Sequence, residues 1–139
     1  MFKVFQIVST AFLVSIFLIE SSVARGFSKK VSLKQSMLVT ATAYNSLPSQ
    51  TDSTPNIAAW GDRLRPGMKV IAVSRDLLKK YGMKHGTKVK IRGLPGRYTV
   101  LDKMNKRWRK KIDIYMGNSR NDAMQWGKRK VKIQWHTAR

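Results

Sequence analysis

Cysteine is absent from this 139-residue sequence, and acidic residues are scarce, with seven Asp and Glu against 28 Lys and Arg. The lack of cysteine excludes a disulfide scaffold and thiolate chemistry, so an apolar core must hold the fold together. The only glutamate is Glu20, and the two histidines, His85 and His136, have no partner at metal-ligand spacing. We therefore expect no metal site and no cofactor.

The scarcity of acids leaves a formal net charge of +21. A positive excess of this size favours adsorption to polyanions, and cell-wall polymers, anionic lipid headgroups and nucleic acid all belong to that class. Charge does not choose among them. A basic protein directed at membranes or nucleic acid would bind in a strongly salt-dependent manner, without regard to glycan.

The N-terminus has the layout of a secretory signal peptide. Lys3 precedes an apolar run from Val4 to Ile19, and small residues follow up to Ala24. The run is shorter than the roughly 20 apolar residues of a spanning helix and contains polar residues, although a retained anchor is the alternative. We predict a signal peptide over residues 1–24, an exported product (periplasmic, wall-associated or secreted) and no membrane span after cleavage.

Of the 139 residues, 115 follow position 24, a usual size for one domain. Residues 25–36 are polar and basic without a sustained period, so we predict a flexible lead-in followed by a folded domain over 37–136. Two short helices are predicted at 75–82 and 119–127. Short runs of β-forming residues predict six strands, at 38–44, 67–74, 87–93, 97–102, 111–116 and 129–135. Short strands with glycine-rich turns favour an all-β fold, a small closed or nearly closed barrel.

Two of the rare acids, Asp102 and Asp113, flank a cationic segment. Alternation places Ile112 and Ile114 on one face of a strand, and therefore Asp113 and Tyr115 on the other. Asp102 ends the preceding strand on the face of Val100. A hairpin-like connection over 103–110 would bring both carboxylates to one open surface at adjacent strand ends. The alternative is that each aspartate serves a turn or an exposed ion pair.

Several blocks occur in an order that resembles the bacterial three-aspartate (3D) domain: VTATAY, TPNIAAWGDRLRPGMKVIAVS, KHGTKVKIRGLPGRYTVLD, KIDIYMG and WGKRKVKIQW. The resemblance covers residues 38–135. That family is similar to the catalytic domain of membrane-bound lytic murein transglycosylase A and to stationary-phase survival and resuscitation-promoting factors. The resemblance implies a six-stranded double-psi β-barrel.

The resemblance also implies a site. Asp113 would be the general acid/base that cleaves the bond between N-acetylmuramic acid and N-acetylglucosamine, with a 1,6-anhydro ring as product, and Asp102 would be its companion. Thr42 and Tyr44 of the TAY strand and Tyr115 would contact the substrate, with ordinary strand packing as the alternative for Thr42 and Tyr44. A general acid needs a raised pKa, from burial or from a neighbouring carboxylate such as Asp102.

Two departures from the family pattern affect this expectation. Ser74 stands where the family has its first aspartate, and Asp76 lies in the next turn. A cationic segment, 103–108, replaces a glycine-rich one, and its charges are expected to lower the pKa of Asp113. Trp108 in this segment is predicted to stack on a sugar, with ordinary packing as the alternative.

Two functions remain open: a lytic transglycosylase-like enzyme, and a non-catalytic barrel that binds or loosens the wall, as expansin-like barrels are thought to do. For both we expect a monomer, with peptidoglycan glycan strands and anionic wall polymers as partners. Nucleic acid is not an expected partner, because the product is exported.

Overall fold

The computed structural model describes residues 31–46 and 56–138. The predicted signal peptide, residues 1–24, and the first part of the predicted lead-in lie outside the described residues. The helices are α1 (Arg75–Lys79) and α2 (Arg120–Trp126). The strands are β1 (Ser32–Tyr44), β2 (Val70–Val73), β3 (Lys88–Ile91), β4 (Tyr98–Lys103), β5 (Lys111–Tyr115) and β6 (Arg129–Ala138).

The six strands close into a barrel in the order β1-β5-β2-β4-β3-β6. β1 runs parallel to β5 and β2 runs parallel to β4, while the other neighbours are antiparallel. The predicted closed, six-stranded, mostly β architecture with two short helices is confirmed. Within the described ranges, no helix is long and apolar enough to cross a membrane.

Alternation of apolar and basic residues produces the barrel wall. Val89, Ile91, Ile112, Ile114 and Ile133 are fully buried in the central core. Each such side chain contributes about 1.5–3 kcal/mol by leaving water. The residues between them point outward, and most of those are charged. β2 differs from the other strands in that all four of its residues are buried. Its outer side is covered by part of the segment after residue 56, where Ala58 and Leu64 join Val70 in a second apolar cluster.

The predicted lead-in is wrong for residues 32–36, because β1 begins at Ser32. β6 is ten residues long, and β3 pairs with it only at Ile133 and Gln134. β1 pairs with β6 along the whole length of β6, from Ala41 opposite Arg129 to Ser32 opposite Ala138. Pairing satisfies backbone groups that would otherwise lack hydrogen-bond partners in the sheet.

The predicted hairpin-like connection between β4 and β5 is also wrong. These two strands do not pair with each other. Each pairs with β2, which lies between them, parallel to β4 and antiparallel to β5. The connecting segment crosses the end of β2, where the Met104 amide donates to the Val73 carbonyl.

Candidate functional site

A row of residues crosses four neighbouring strands on the outer face of the barrel. Thr42 on β1 lies opposite Asp113 on β5, Asp113 lies opposite Ala72 on β2, and Ala72 lies opposite Asp102 on β4. Because the neighbours of Asp113 along the strand are core residues, its side chain points outward. Ala72 carries only a methyl group, which leaves the space between the two aspartates without a long side chain.

Asp102 reaches this face through a β-bulge. Ile71 pairs with Val100, but the next residue, Ala72, pairs with Asp102, so Leu101 is the extra residue. Without the bulge, alternation would place Asp102 on the core-facing side with Val100. An inserted residue re-aims the side chains that follow it. The predicted shared face with Val100 is therefore wrong. The two aspartates lie two strands apart rather than at adjacent strand ends, with Cα atoms on the order of 10 Å apart.

The Asp113 carboxyl group is half-buried, and its Oδ1 accepts a hydrogen bond of 2.9 Å from the Thr42 hydroxyl. Burial raises the pKa of Asp113, and the negative charge of Asp102 adds to the rise. The hydrogen bond from Thr42 and the charge of Lys111 oppose it without reversing it. The expectation that nearby cations lower the pKa of Asp113 is thus wrong in its net direction, because desolvation outweighs them.

Asp102 is bonded mainly to the backbone. Its Oδ1 accepts from the Ala59 amide and from the Lys103 amide, both at 2.8 Å. The Tyr44 hydroxyl lies 3.5 Å from Oδ2, beyond the usual O–H···O range. Asp102 therefore anchors the segment that begins at Asn56 to the barrel, directly beside the row that contains Asp113.

Tyr44 and Tyr115 form one wall of the site, with ring centroids 5.5 Å apart. Tyr115 is 3% exposed, and its hydroxyl accepts from the Ser46 hydroxyl at 2.8 Å. Its ring therefore supports Tyr44 and offers little surface to a ligand. Burial, followed by the charges of Asp102 and Asp113, raises the pKa of Tyr44, which keeps this half-buried phenol protonated and able to donate.

Trp108 joins the site through Lys111. The Lys111 ammonium lies 3.7 Å from the centroid of the Trp108 ring, and the Arg107 guanidinium lies 4.9 Å from it. Lys111 precedes Asp113 by two residues and so shares its outward face. Cation–π attraction holds the ring and the ammonium together, so the structure places Trp108 at the edge of the row with its ring already in contact with cations.

Ser74 and Asp76 fix the start of β5. Ser74 is fully buried, and its Oγ accepts from the Lys111 amide at 3.0 Å. Asp76 Oδ2 accepts from the Lys110 amide at 2.9 Å, and Lys110 has a positive φ of 43°. Burial alone would raise the pKa of Asp76, but hydrogen bonds from the Ser74 hydroxyl and from backbone amides lower it. Asp76 is thus a structural carboxylate, and it does not take the place of the aspartate that the resembled family pattern has at position 74.

A second set of contacts was not predicted from the sequence. His85 Nε2 lies 2.6 Å from Asp62 Oδ2, and the His85 ring packs edge-on against the Trp60 ring. The Lys103 ammonium lies over the same Trp60 ring, 5.2 Å from its centroid.

The Ala59 amide, which donates to Asp102, has no side-chain signature that a sequence could reveal. The outward position of Lys111 does have a sequence signature, since Lys111 lies two residues before Asp113 on the same strand.

In the part of the chain that the structure describes, no group of three or more His, Cys, Asp or Glu side chains is placed to hold a metal ion. Comparison with protein-family models gives no match for this chain, and comparison with curated proteins gives none. Function therefore has to be inferred from the geometry around Asp113.

Proposed function

We propose that this chain is an exported, peptidoglycan-active protein of the three-aspartate type, which cleaves the bond between N-acetylmuramic acid and N-acetylglucosamine as lytic transglycosylases do. The observation that carries the proposal is the environment of Asp113: a half-buried, outward-facing carboxyl group with a raised pKa, opposite the short side chain of Ala72. We also propose the double-psi topology. Supporting it, β4 and β5 run in opposite directions with β2 between them.

A single carboxyl group suffices for this chemistry. Protonated Asp113 donates its proton to the glycosidic oxygen as the bond to the anomeric carbon breaks. The resulting carboxylate then accepts the proton of the C6 hydroxyl, whose oxygen bonds to the anomeric carbon and closes the 1,6-anhydro ring. No water is consumed. The Thr42 hydrogen bond occupies Oδ1 and leaves Oδ2 for proton transfer.

Asp102 has a supporting role in this mechanism. Its two backbone hydrogen bonds stabilise the anion, and its charge helps to raise the pKa of Asp113. Tyr44 and Trp108 are proposed to contact the glycan, with Lys111 available to the carboxylates of stem peptides. Tyr115 contributes by supporting the ring of Tyr44.

A specific observation favours the second candidate, a wall-binding barrel without catalysis. The β4–β5 connection carries Lys106, Arg107, Arg109 and Lys110 close to the site, and the Trp108 ring is covered in part by cations. Such a rim suits retention of an anionic polymer. In this candidate the row from Thr42 to Asp102 is a binding groove only.

The test uses the exported, purified protein, its Asp113→Asn variant and the matched control Asp122→Asn, whose carboxylate is exposed in the first turn of α2. Each is incubated with peptidoglycan sacculi, and soluble products are examined by mass spectrometry. We expect 1,6-anhydromuramic ends from the parent protein and the control, and none from Asp113→Asn. Intact sacculi that bind all three proteins would reject the enzyme and leave the binding barrel.

A further inference from the structure

A second surface of the barrel is strongly basic and takes no part in the site around Asp113. It is formed by the outward residues of β3 and β6 and by the residue that follows β3. All of its members are exposed, and we call this surface the basic face: Lys88, Lys90, Arg92, Lys130 and Lys132. The residues between them, such as Val89 and Val131, are in the core.

The basic face borders the candidate site and shares no residue with it, because Thr42 and Asp102 lie on the neighbouring strands β1 and β4. β4 separates it from β2 on one side, and β1 separates it from β5 on the other. Two shallow depressions of about 380 and 270 Å³ open on it, and Arg92 and Lys132 line both. In register, Lys90 lies opposite Gln134, and Lys132 lies opposite Leu38, a residue that is 61% exposed.

The charges of the basic face are not neutralised within the described chain. In residues 31–46 and 56–138, the ion pair is His85 with Asp62, and it includes no residue of the basic face. β3 and β6, both fully described, contain no Asp or Glu. Among the side chains of the basic face, that of Lys88 alone makes a hydrogen bond within the described residues: its ammonium donates to the Thr99 hydroxyl at 2.6 Å. Like charges on neighbouring strands repel one another, and a bound polyanion would remove that cost.

The spacing of the cations suits a phosphodiester chain with three carbons between successive phosphates, as in a polyol phosphate or in nucleic acid. Alternate residues of a strand, such as Lys130 and Lys132, are roughly 6.8 Å apart, and neighbouring strands are about 4.8 Å apart. A polyol phosphate with three carbons between phosphates has six backbone bonds per repeat. Two residues of extended peptide also have six bonds, so the two repeats have nearly the same length, about 7 Å.

We propose that the basic face binds a polyol phosphodiester polymer, with successive phosphates following successive cations of β3 and β6. Single-stranded nucleic acid has a similar charge but binds with the help of bases stacked on aromatic rings. The aromatic ring beside this face, Trp126, is covered by the Arg129 guanidinium at 4.3 Å from its centroid. The face therefore favours a polymer without bases. The proposal does not depend on Asp113 being catalytic.

The test compares two variants of the full exported protein that lose the same charge. The face variant combines Lys90→Gln, Arg92→Gln, Lys130→Gln and Lys132→Gln. The control combines Lys34→Gln, Lys79→Gln, Lys80→Gln and Lys84→Gln, all at exposed positions outside the basic face and outside the β4–β5 connection. Binding of a labelled poly(glycerol phosphate) with twelve phosphates is measured by fluorescence anisotropy at 50–200 mM NaCl.

Each phosphate contact contributes roughly 0.7 to the slope of log K against log salt in single strands. We expect the magnitude of this slope to fall by about three in the face variant and by less than about one in the control. Cleavage or binding of phosphate-free peptidoglycan should stay unchanged in both. If the fourfold variants unfold, the pairs Lys90→Gln with Lys132→Gln and Lys79→Gln with Lys80→Gln give the same comparison with half the effect.

Three outcomes would overturn the proposal. Equal losses in the two variants would mean that net charge, and not this face, determines binding. Tighter binding of single-stranded DNA or of polyglutamate with the same number of charges would identify another class of partner. No binding of poly(glycerol phosphate) by the parent protein would reject the site itself, and would leave the sacculus experiment on Asp113 unaffected.

Discussion

Substitution of Asp102 tests the site most directly, because its hydrogen bonds to backbone amides can be removed or kept independently of its negative charge. Its Oδ1 accepts two amide hydrogen bonds of 2.8 Å, from Ala59 and Lys103. Hydrogen bonds to a charged group are worth about 1.5–3 kcal/mol each, but Ala59 is exposed, so water replaces part of what is lost. We expect Asp102→Ala to lower the free energy of unfolding by about 2 kcal/mol, or roughly 8–16 °C in Tm.

Asp102→Asn is the matched control, because its amide oxygen can still accept from both backbone N–H groups. We expect it to stay within about 1 kcal/mol of the parent protein in chemical denaturation. Hydrogen exchange at the Ala59 amide should accelerate in Asp102→Ala and not in Asp102→Asn. Since the charge of Asp102 helps to raise the pKa of Asp113, the ionisation of Asp113 should move to lower pH in both variants.

Unchanged exchange at Ala59 in Asp102→Ala would refute the anchoring role. A folded Asp102→Asn variant that loses all glycan cleavage at every pH would contradict a purely supporting role, because the carboxylate would then take part in the chemistry itself.

The other predictions concern Asp113 and its immediate support. Because the pKa of Asp113 is raised in the folded protein, its contribution to stability is present below the unfolded pKa of about 3.9 and is lost as pH rises through the folded pKa. We therefore expect Asp113→Asn to raise Tm at pH 7. At pH 3 the same substitution should change Tm little, in thermal melts at both pH values. Thr42→Val removes a hydrogen bond that stabilises the carboxylate, so NMR titration should show the Asp113 pKa higher than in the parent protein, whereas Thr40→Val should leave it in place. Lys111→Met should also raise the pKa of Asp113 and should change Trp108 fluorescence, and a variant with altered fluorescence but an unmoved pKa would contradict the assigned charge effect. Ser74→Ala leaves the Lys111 amide without its acceptor and should cost about 1–3 kcal/mol in denaturant unfolding; an unchanged midpoint would show that Ser74 does not hold β5.

The sequence predicts the barrel well, because its signals are local. Alternation in KVKI and KIDIY identifies the strands and their inward faces, and Ser119 and Gly127 bound the second helix close to the predicted limits. The pairing order is not local. Period-two reasoning could not reveal that β2 inserts between β4 and β5, nor that Leu101 is an extra residue in the ladder.

The same limit applies to the candidate site. Alternation predicts the outward position of Asp113, but the net direction of its pKa shift depends on burial, which a list of neighbouring cations does not show. Alternation predicts that Asp102 shares the face of Val100, and the structure contradicts this. The β-bulge at Leu101, and not the alternation, places Asp102 opposite Ala72. The part of the site that prediction missed is made of backbone groups, above all the Ala59 amide.

Ser74 stands at the position where the three-aspartate pattern, which this sequence resembles, has its first aspartate. Ser74 is buried at the end of β2 and accepts the Lys111 amide, while Asp76 holds the Lys110 amide; together they set where β5 begins. A serine hydroxyl oxygen and an aspartate carboxylate can each accept such a backbone hydrogen bond. The position therefore needs an acceptor and does not need a second acid. With the start of β5 fixed, Asp113 lies two residues further along, opposite Ala72, whatever acid or alcohol occupies position 74. A serine at position 74 is thus compatible with the acid/base role that we propose for Asp113.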